Sequence, residues 1–294
     1  MRIIIAGGGT GGHLFPALAL IEAFKDREPT NEILLVGSRR GLEARLVAET
    51  GYTLRTIEAV SLKGKSFWGK IWGLMAVPKS LFQSWRLIHS FRPDIVLGVG
   101  GYASGPVVLA AWAMGYRTAI HEQNAFPGLS NRILGRFVER AFVSFAASAR
   151  HFPRQKSILT GNPIRKRIRP EGMARERGPE SKFTLFIFGG SQGAHRLNLA
   201  MMEALIPLRE FKGRLQVIHQ TGDKDYAEVQ EAYRREGLAA EVTPFLHDMD
   251  RAYAAADLIL CRAGASTLFE LMAMGKPAIL AVSYTHLTLP TNRE

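Results

Sequence analysis

The sequence predicts an α/β fold of two domains, each a mostly parallel sheet wrapped by helices. Three observations lead there. Short apolar, β-branched runs alternate with stretches at helical spacing along almost the whole chain. Each half opens on the same succession of strand, glycine-rich turn and helix. Between Thr160 and Lys182 the composition shifts to Gly-Asn-Pro and then to Arg, Lys, Glu and Pro with few apolar residues, which reads as linker and surface. With 294 residues, 47% of them hydrophobic, the chain can furnish two cores, and a charged fraction of 22% argues against disorder.

In the first half the expected strands are Arg2–Ala6, Glu32–Val36, Thr53–Glu58, Asp94–Val99, Arg117–His121 and Arg140–Val143. In the second they are Thr184–Phe188, Leu215–His219, Glu241–Pro244, Leu258–Cys261 and Pro277–Val282. The domain boundaries that follow are 1–160, a linker over 161–182, a second domain over 183–281 and a tail over 282–294. In parallel sheets of this kind ligands bind at the carboxyl ends of the strands.

The opening stretch organises the rest. Ile3-Ile4-Ile5-Ala6 runs into Gly7-Gly8-Gly9-Thr10-Gly11-Gly12-His13 and then into an apolar run at helical spacing. This reads as a buried strand, a tight turn and a helix N-terminus, where main-chain N–H groups and the helix dipole suit an anion. Gly7-x-Gly9-x-x-Gly12 also fits the dinucleotide fingerprint, a loose match because any close strand-to-helix turn wants glycine. Two more strands end in polar turns: Gly98-Val99-Gly100-Gly101-Tyr102-Ala103-Ser104-Gly105-Pro106, and His121-Glu122-Gln123-Asn124 with Pro127-Gly128.

In the second half Gly189-Gly190-Ser191-Gln192-Gly193-Ala194 follows a strand, and Ser191 is placed either to cradle a diphosphate or to cap a helix. Glu270 lies on the helix after Gly264. There it can accept the two hydroxyls of a ribose or compensate a helix dipole. Asn124 can bond sugar hydroxyls or make a turn. His13 can be a general base, a phosphate donor or a core histidine.

Composition bounds the setting. The single cysteine, Cys261, excludes an intramolecular disulfide framework and any multi-Cys metal site, and ends an apolar run as a small buried hydrophobe. Met1 leads straight into a strand, so no signal peptide is expected. No run reaches the ~18–20 apolar residues of a membrane span, so a soluble or peripheral protein is expected. The net charge is +12, and it is uneven: residues 1–160 hold 20 Lys and Arg against 10 Asp and Glu, the remainder 18 against 16. Lys63, Lys65, Lys70 and Lys79, interleaved with Phe67, Trp68, Trp72, Leu74 and Met75, suit an anionic membrane surface or, alternatively, a helix on its own core with solvated lysines. Asp248 and Asp250 in His247-Asp248-Met249-Asp250 are read as a turn and helix start, and no metal cluster is expected.

Taken together, Gly7–Pro16, Gly100–Pro106, His121–Asn124 with Gly128 and Asn131, Thr160–Arg165, Gly189–Ala194 and Cys261–Glu270 resemble the MurG family. These are bacterial inverting glycosyltransferases that make lipid II from lipid I. The resemblance covers residues 2 to about 281 and implies two Rossmann-like domains in a GT-B arrangement. It implies UDP-N-acetylglucosamine held mainly by the second domain, with Glu270 on the ribose and Leu246 near the uracil. Ser191, Arg165 and the turn Ala265-Ser266-Thr267, continuing into Leu268 and Phe269, would meet the phosphates and nucleoside. Thr10, Gly11, Gly12 and Asn124 would approach the sugar. The acceptor, lipid I, would lie against the first domain's glycine loops at the cytoplasmic face of the plasma membrane, with no required cofactor or metal and no nucleic-acid partner. From Ala281 the chain is expected to depart from the family, which continues with a His-Gln loop and further helices, leaving the second domain incomplete.

Displacement at the anomeric carbon requires a base for the incoming hydroxyl. His13, set at a glycine turn, is the expected base, with His121 as substitute and His195 assigned to a helix start. Two competing readings are an NADP-dependent oxidoreductase, from Ser38-Arg39-Arg40 after the second strand, and a non-catalytic binding subunit of a membrane complex.

Overall fold

The computed structural model describes residues 1–38, 47, 50–59, 67–169 and 181–282, with side chains of 67–76 left aside. The chain divides into two units, Met1–Lys166 and Arg167–Glu294.

The first unit holds β1 (Arg2–Ala6), α1 (Gly11–Arg27), β2 (Glu32–Ser38), β3 (Thr53–Ile57), α2 (Phe67–Phe91), β4 (Ile95–Gly98) and α3 (Ser104–Ala113). It continues with β5 (Arg117–Glu122), α4 (Leu129–Leu134), β6 (Arg140–Val143), α5 (Ala146–Ala149) and β7 (Ser157–Leu159). Its seven strands pair in the order β3-β2-β1-β4-β5-β6-β7, and each described pairing is parallel. Ile3, Ile4, Ile5 and Ala6 are fully buried, because a central parallel strand has helices on both faces and every side chain enters a core. The core on one face joins Ile4, Val36, Val96 and Ile120 to Val107, Val108 and Ala111 of α3 and Ile88 of α2.

The second unit holds β8 (Phe183–Phe188), α6 (His195–Leu208), β9 (Leu215–Gln220), α7 (Tyr226–Glu236), β10 (Ala239–Thr243), α8 (Met249–Ala255), β11 (Leu258–Arg262), α9 (Ala265–Met274) and β12 (Ala278–Ala281). Five parallel strands pair in the order β10-β9-β8-β11-β12. In both sheets the first strand lies centrally and the order reverses beside it. A crevice therefore opens at the carboxyl end of β1, between the turns after β1 and β4, and at that of β8, between the turns after β8 and β11.

Two expectations need correction. Residues 161–169 are not surface linker: Asn162, Arg165 and Ile168 are buried, and the Arg165 guanidinium lies over the Phe15 ring at 4.3 Å, inside the first unit. An arginine can bury its planar, weakly hydrated head against an aromatic face where a lysine would not. The strand β7, too short and too exposed to announce itself, adds a seventh member to the first sheet. Cys261 is buried as expected, and burial pushes its thiol up to about 12, which makes it inert. Asp248 stands at the N-cap of α8, with Asp250 in its first turn.

Candidate functional site

In the first unit the loops after β1, β4 and β5 meet at the carboxyl edge. Val99 N–H donates to Ala6 O at 2.8 Å and Gly7 N–H to Val36 O at 3.0 Å, so the glycine turn is tied to both neighbouring strands. Thr10 is the exposed N-cap of α1, in extended conformation and without a side-chain cap bond; Gly11 and Gly12 begin the helix and His13 is its third residue. Gly100, at φ +90°, lies beneath the His13 ring: a Cβ there would stand 2.8 Å from His13 Cε1 and Nδ1. Glycine is thus required twice over at this position.

The run His121-Glu122-Gln123-Asn124 separates into different tasks. Glu122, 1% exposed, accepts four hydrogen bonds: from Asn124 N–H and Nδ2 on one oxygen, at 2.9 and 3.0 Å, and from Gly128 N–H and Asn131 Nδ2 on the other, at 3.1 and 2.9 Å. It is the organiser of the turn. Asn124 is exposed beside it. His121 and Gln123 are buried, and Gln123 faces His13 with Oε1 3.2 Å from Nδ1. Burial lowers the His121 pKa, with a bond to the Gly161 carbonyl opposing the shift, so a buried neutral ring replaces the expected substitute base.

In the second unit the turn Gly189–Ala194 follows β8. Gln220 Nε2 donates to Gly190 O at 2.9 Å, and Gly193 is pressed on the Thr221 carbonyl so closely that no side chain fits. Ser191 is half-buried in this turn, but it does not cap the helix: α6 starts at His195 behind an Ala194 N-cap. Ser191 thus lies in the turn, four residues ahead of the helix.

A buried polar network supports that turn. Asn198 Nδ2 donates to Thr221 O at 2.9 Å and to Asp225 at 2.7 Å, its Oδ1 lies 3.1 Å from His219 Nε2, and Tyr233 OH lies 3.1 Å from His219 Nδ1. Asp225 also holds His195 at 3.0 Å. Nothing in the spacing of these residues signals the network, whose members come from four elements.

At the next crevice wall, Gly264 is the extended N-cap of α9, and Ala265, Ser266, Thr267, Leu268 and Phe269 are all half-buried along its first turns. Glu270 is 7% exposed and accepts the Tyr253 hydroxyl at 2.8 Å; Tyr253 is fully buried on α8. One carboxylate oxygen is thereby fixed, which fixes the orientation of the other. Leu246 is half-buried in the loop after β10, between Phe245 and His247, whose rings meet edge to face at 4.8 Å. Arg165, expected with the phosphate set, belongs to the first unit. No group of three or more His, Cys, Asp and Glu that could hold a metal occurs among the described residues.

Arg39, Arg40, Lys63 and Lys65 and the tail from Ser283 lie outside the described residues, as do the side chains of Phe67–Ala76. The described part of α2 adds a feature not anticipated: exposed Phe82 and Trp85 stack at 5.9 Å, and Trp85 stacks on His89 at 5.5 Å. Their i, i+3, i+7 spacing puts them on one helix face.

The glycosyltransferase family 28 N-terminal domain matches residues 3–143, and the family 28 C-terminal domain matches residues 184–287. The second match therefore runs into the segment where departure was expected. A curated relative from Citrifermentans bemidjiense, "UDP-N-acetylglucosamine--N-acetylmuramyl-(pentapeptide) pyrophosphoryl-undecaprenol N-acetylglucosamine transferase", is 51% identical over 282 residues, covering 95% of this chain and 78% of the relative. Its namesake in Geotalea uraniireducens is 52% identical over 281 residues, covering 95% and 77%. The solved structure of Acinetobacter baumannii MurG superposes with a TM-score of 0.70 at 28% identity, covering 97% of this chain and 79% of that one. The UDP-GlcNAc 2-epimerase of Neisseria meningitidis shares the fold alone, at TM-score 0.62 and 13% identity over 95% of this chain and 82% of its own. Two Rossmann-like domains of the GT-B class, both matched by one glycosyltransferase family, leave no place for an NADP oxidoreductase. The chain belongs to the MurG family of N-acetylglucosaminyltransferases.

Proposed function

We propose that this chain transfers N-acetylglucosamine, with inversion, from UDP-N-acetylglucosamine to the muramyl 4-hydroxyl of lipid I, giving lipid II for peptidoglycan. The observation that carries this reading is the 51% identity over 282 residues to a transferase of that name.

The following roles are supported by the geometry and by the family resemblance. Glu270, oriented by Tyr253, takes the ribose hydroxyls, and Leu246 lines the uracil side. Ser191 and the start of α9 from Ala265 to Phe269 receive the diphosphate and nucleoside, where a turn of N–H groups and a helix dipole meet the charge of the leaving UDP. Thr10, Gly11, Gly12 and Asn124 face the transferred sugar. Arg165, whose guanidinium lies over Phe15 near the start of α1, adds positive charge close to that helix N-terminus. His13 accepts the hydroxyl proton as the new O4–C1 bond forms and the C1–O bond to UDP breaks. No redox partner is involved, and the leaving diphosphate departs with its electron pair.

The acceptor is a lipid, so the enzyme works at a surface. Among the described residues no helix is long and apolar enough to cross a membrane. The exposed Phe82 and Trp85, with Arg86 beside them and the Lys63–Lys79 segment N-terminal to them, support peripheral docking on the anionic cytoplasmic leaflet.

The test is transfer of labelled N-acetylglucosamine to a short-chain lipid I by the purified chain. Release of UDP matched by disaccharide product is expected. Donor binding without turnover would demote the chain to a binding subunit, and absence of UDP binding would overturn the reading.

A further inference from the structure

His13 stands at one end of a hydrogen-bond chain in which the direction of each link is determined. Gln123 Nε2 lies 3.0 Å from the Val99 carbonyl oxygen and 3.1 Å from His121 Nδ1. A carbonyl oxygen only accepts, so the amide group facing Val99 is the NH2 and the amide oxygen points away from it. That oxygen lies 3.2 Å from His13 Nδ1 and also only accepts, so Nδ1 of His13 carries the hydrogen. The far end obeys the same logic. His121 Nε2, 3.0 Å from the Gly161 carbonyl oxygen, donates to it. The ring is buried and neutral, so its Nδ1 is left as acceptor for the second N–H of Gln123. Two backbone carbonyls, Val99 and Gly161, thus orient three side chains.

We propose that Gln123, backed by His121, is a positioning residue that locks His13 in the Nδ1–H tautomer and so presents the Nε2 lone pair to the acceptor hydroxyl. The proposal rests on His13 being the base. Free imidazole in water favours the opposite tautomer, whose Nε2 carries hydrogen and can accept nothing, so the chain of bonds works against an intrinsic preference. The proton balance is simple. The hydroxyl proton passes to Nε2, the imidazolium keeps its Nδ1–H on Gln123, and neither Gln123 nor His121 gains or loses a proton. The absent Cβ of Gly100 seats the ring so that Nδ1 stays on Gln123.

The experiment reads the tautomer itself. In the full chain labelled with ¹⁵N-histidine, at mildly alkaline pH, His13 is assigned by its loss in His13→Gln and its ring nitrogens are read by long-range ¹⁵N–¹H correlation. The Nδ1–H pattern is expected in the wild type. Gln123→Met is expected to shift it toward Nε2–H and to lower kcat by at least about tenfold with the KM for UDP-N-acetylglucosamine within about twofold. Gln123→Glu keeps an oxygen facing His13 and is expected to keep the Nδ1–H pattern, which preserves the test if the methionine variant does not fold. An Nε2–H pattern in the wild type, or a pattern unmoved in Gln123→Met, overturns the proposal. A tautomer that follows Gln123 while kcat stays unchanged upholds the positioning and removes His13 as the base.

Discussion

His13, Gly100 and Glu270 are three residues whose environments make opposite kinetic forecasts. His13→Ala should lower kcat at least about tenfold while donor affinity stays nearly intact, because His13 and its partners Gln123 and Gly100 belong to the first unit, whereas the donor is assigned to the second. Glu270→Gln should do the reverse and raise the donor KM first. Tyr253→Phe should follow it more weakly, since the hydroxyl only aims the carboxylate; isothermal titration with UDP separates the two. Gly100→Ala places a Cβ against the His13 ring at φ +90° and should cost both kcat and about 1–2 kcal/mol of stability, read by steady-state kinetics and denaturant melts. Sequence reading placed His13 and Ser191 at glycine-rich turns and Glu270 on the helix after Gly264, where the structure has them, because glycine next to an apolar run is a strong local signal. It could not resolve what each polar neighbour does. Glu122 and Gln123 are adjacent in the chain, yet one is consumed by four turn contacts and the other reaches His13, 110 residues away. Such assignments depend on long-range packing, which no spacing encodes.

Helices and strands were the more legible scale. Buried parallel strands are continuous apolar runs, so β1, β2, β8 and β9 were recognisable within two residues of their observed ends. β7 escaped because three half-exposed edge residues carry no such run. Ser191 has the chemistry of a cap without its position, because α6 starts at His195, where a helix start was expected. The network joining α6, β9, α7 and the Thr221 turn makes its own forecast. His219 is fully buried, and burial drives its pKa from an ordinary 6.5 down to about 4. The unfolded chain takes up a proton below about pH 6.5 that the native unit refuses until about pH 4. The stabilisation is therefore complete above pH 6.5 and is lost as pH falls toward 4, by up to about 3 kcal/mol. Denaturant melts at pH 7.5, 6 and 5, followed by circular dichroism, should show this decline, and His219→Asn should flatten it.

For the molecule as a whole, the four tryptophans Trp68, Trp72, Trp85 and Trp112 all belong to the first unit. Each unit has its own core, so UDP should raise the melting transition seen by circular dichroism while leaving that seen by tryptophan fluorescence nearly unmoved. Membrane binding should belong to the same tryptophan-bearing unit, which carries most of the excess positive charge. Phe82→Ser with Trp85→Ser should weaken sedimentation with anionic vesicles about tenfold, and raised salt should weaken the wild type. Equal binding to neutral vesicles would count against the electrostatic part. Composition had shown the charge asymmetry between halves; the aromatic stripe became visible only once the helix showed which of its residues face outward.

The burial of Asn162 and Arg165 decides where this protein can be cut. An excised N-terminal half that stops at Thr160, the natural choice from composition, would lose both the Gly161 carbonyl that terminates the His121 hydrogen bond and the guanidinium lid on Phe15. Its strands would all be present and its spectrum would report a folded protein. The imidazole of His121 would nonetheless be at liberty to turn over, and a dissection experiment would record as intrinsic weakness of the half what is an artefact of six missing residues. A cleavage after Lys166 keeps both contacts, because the first unit is complete only there.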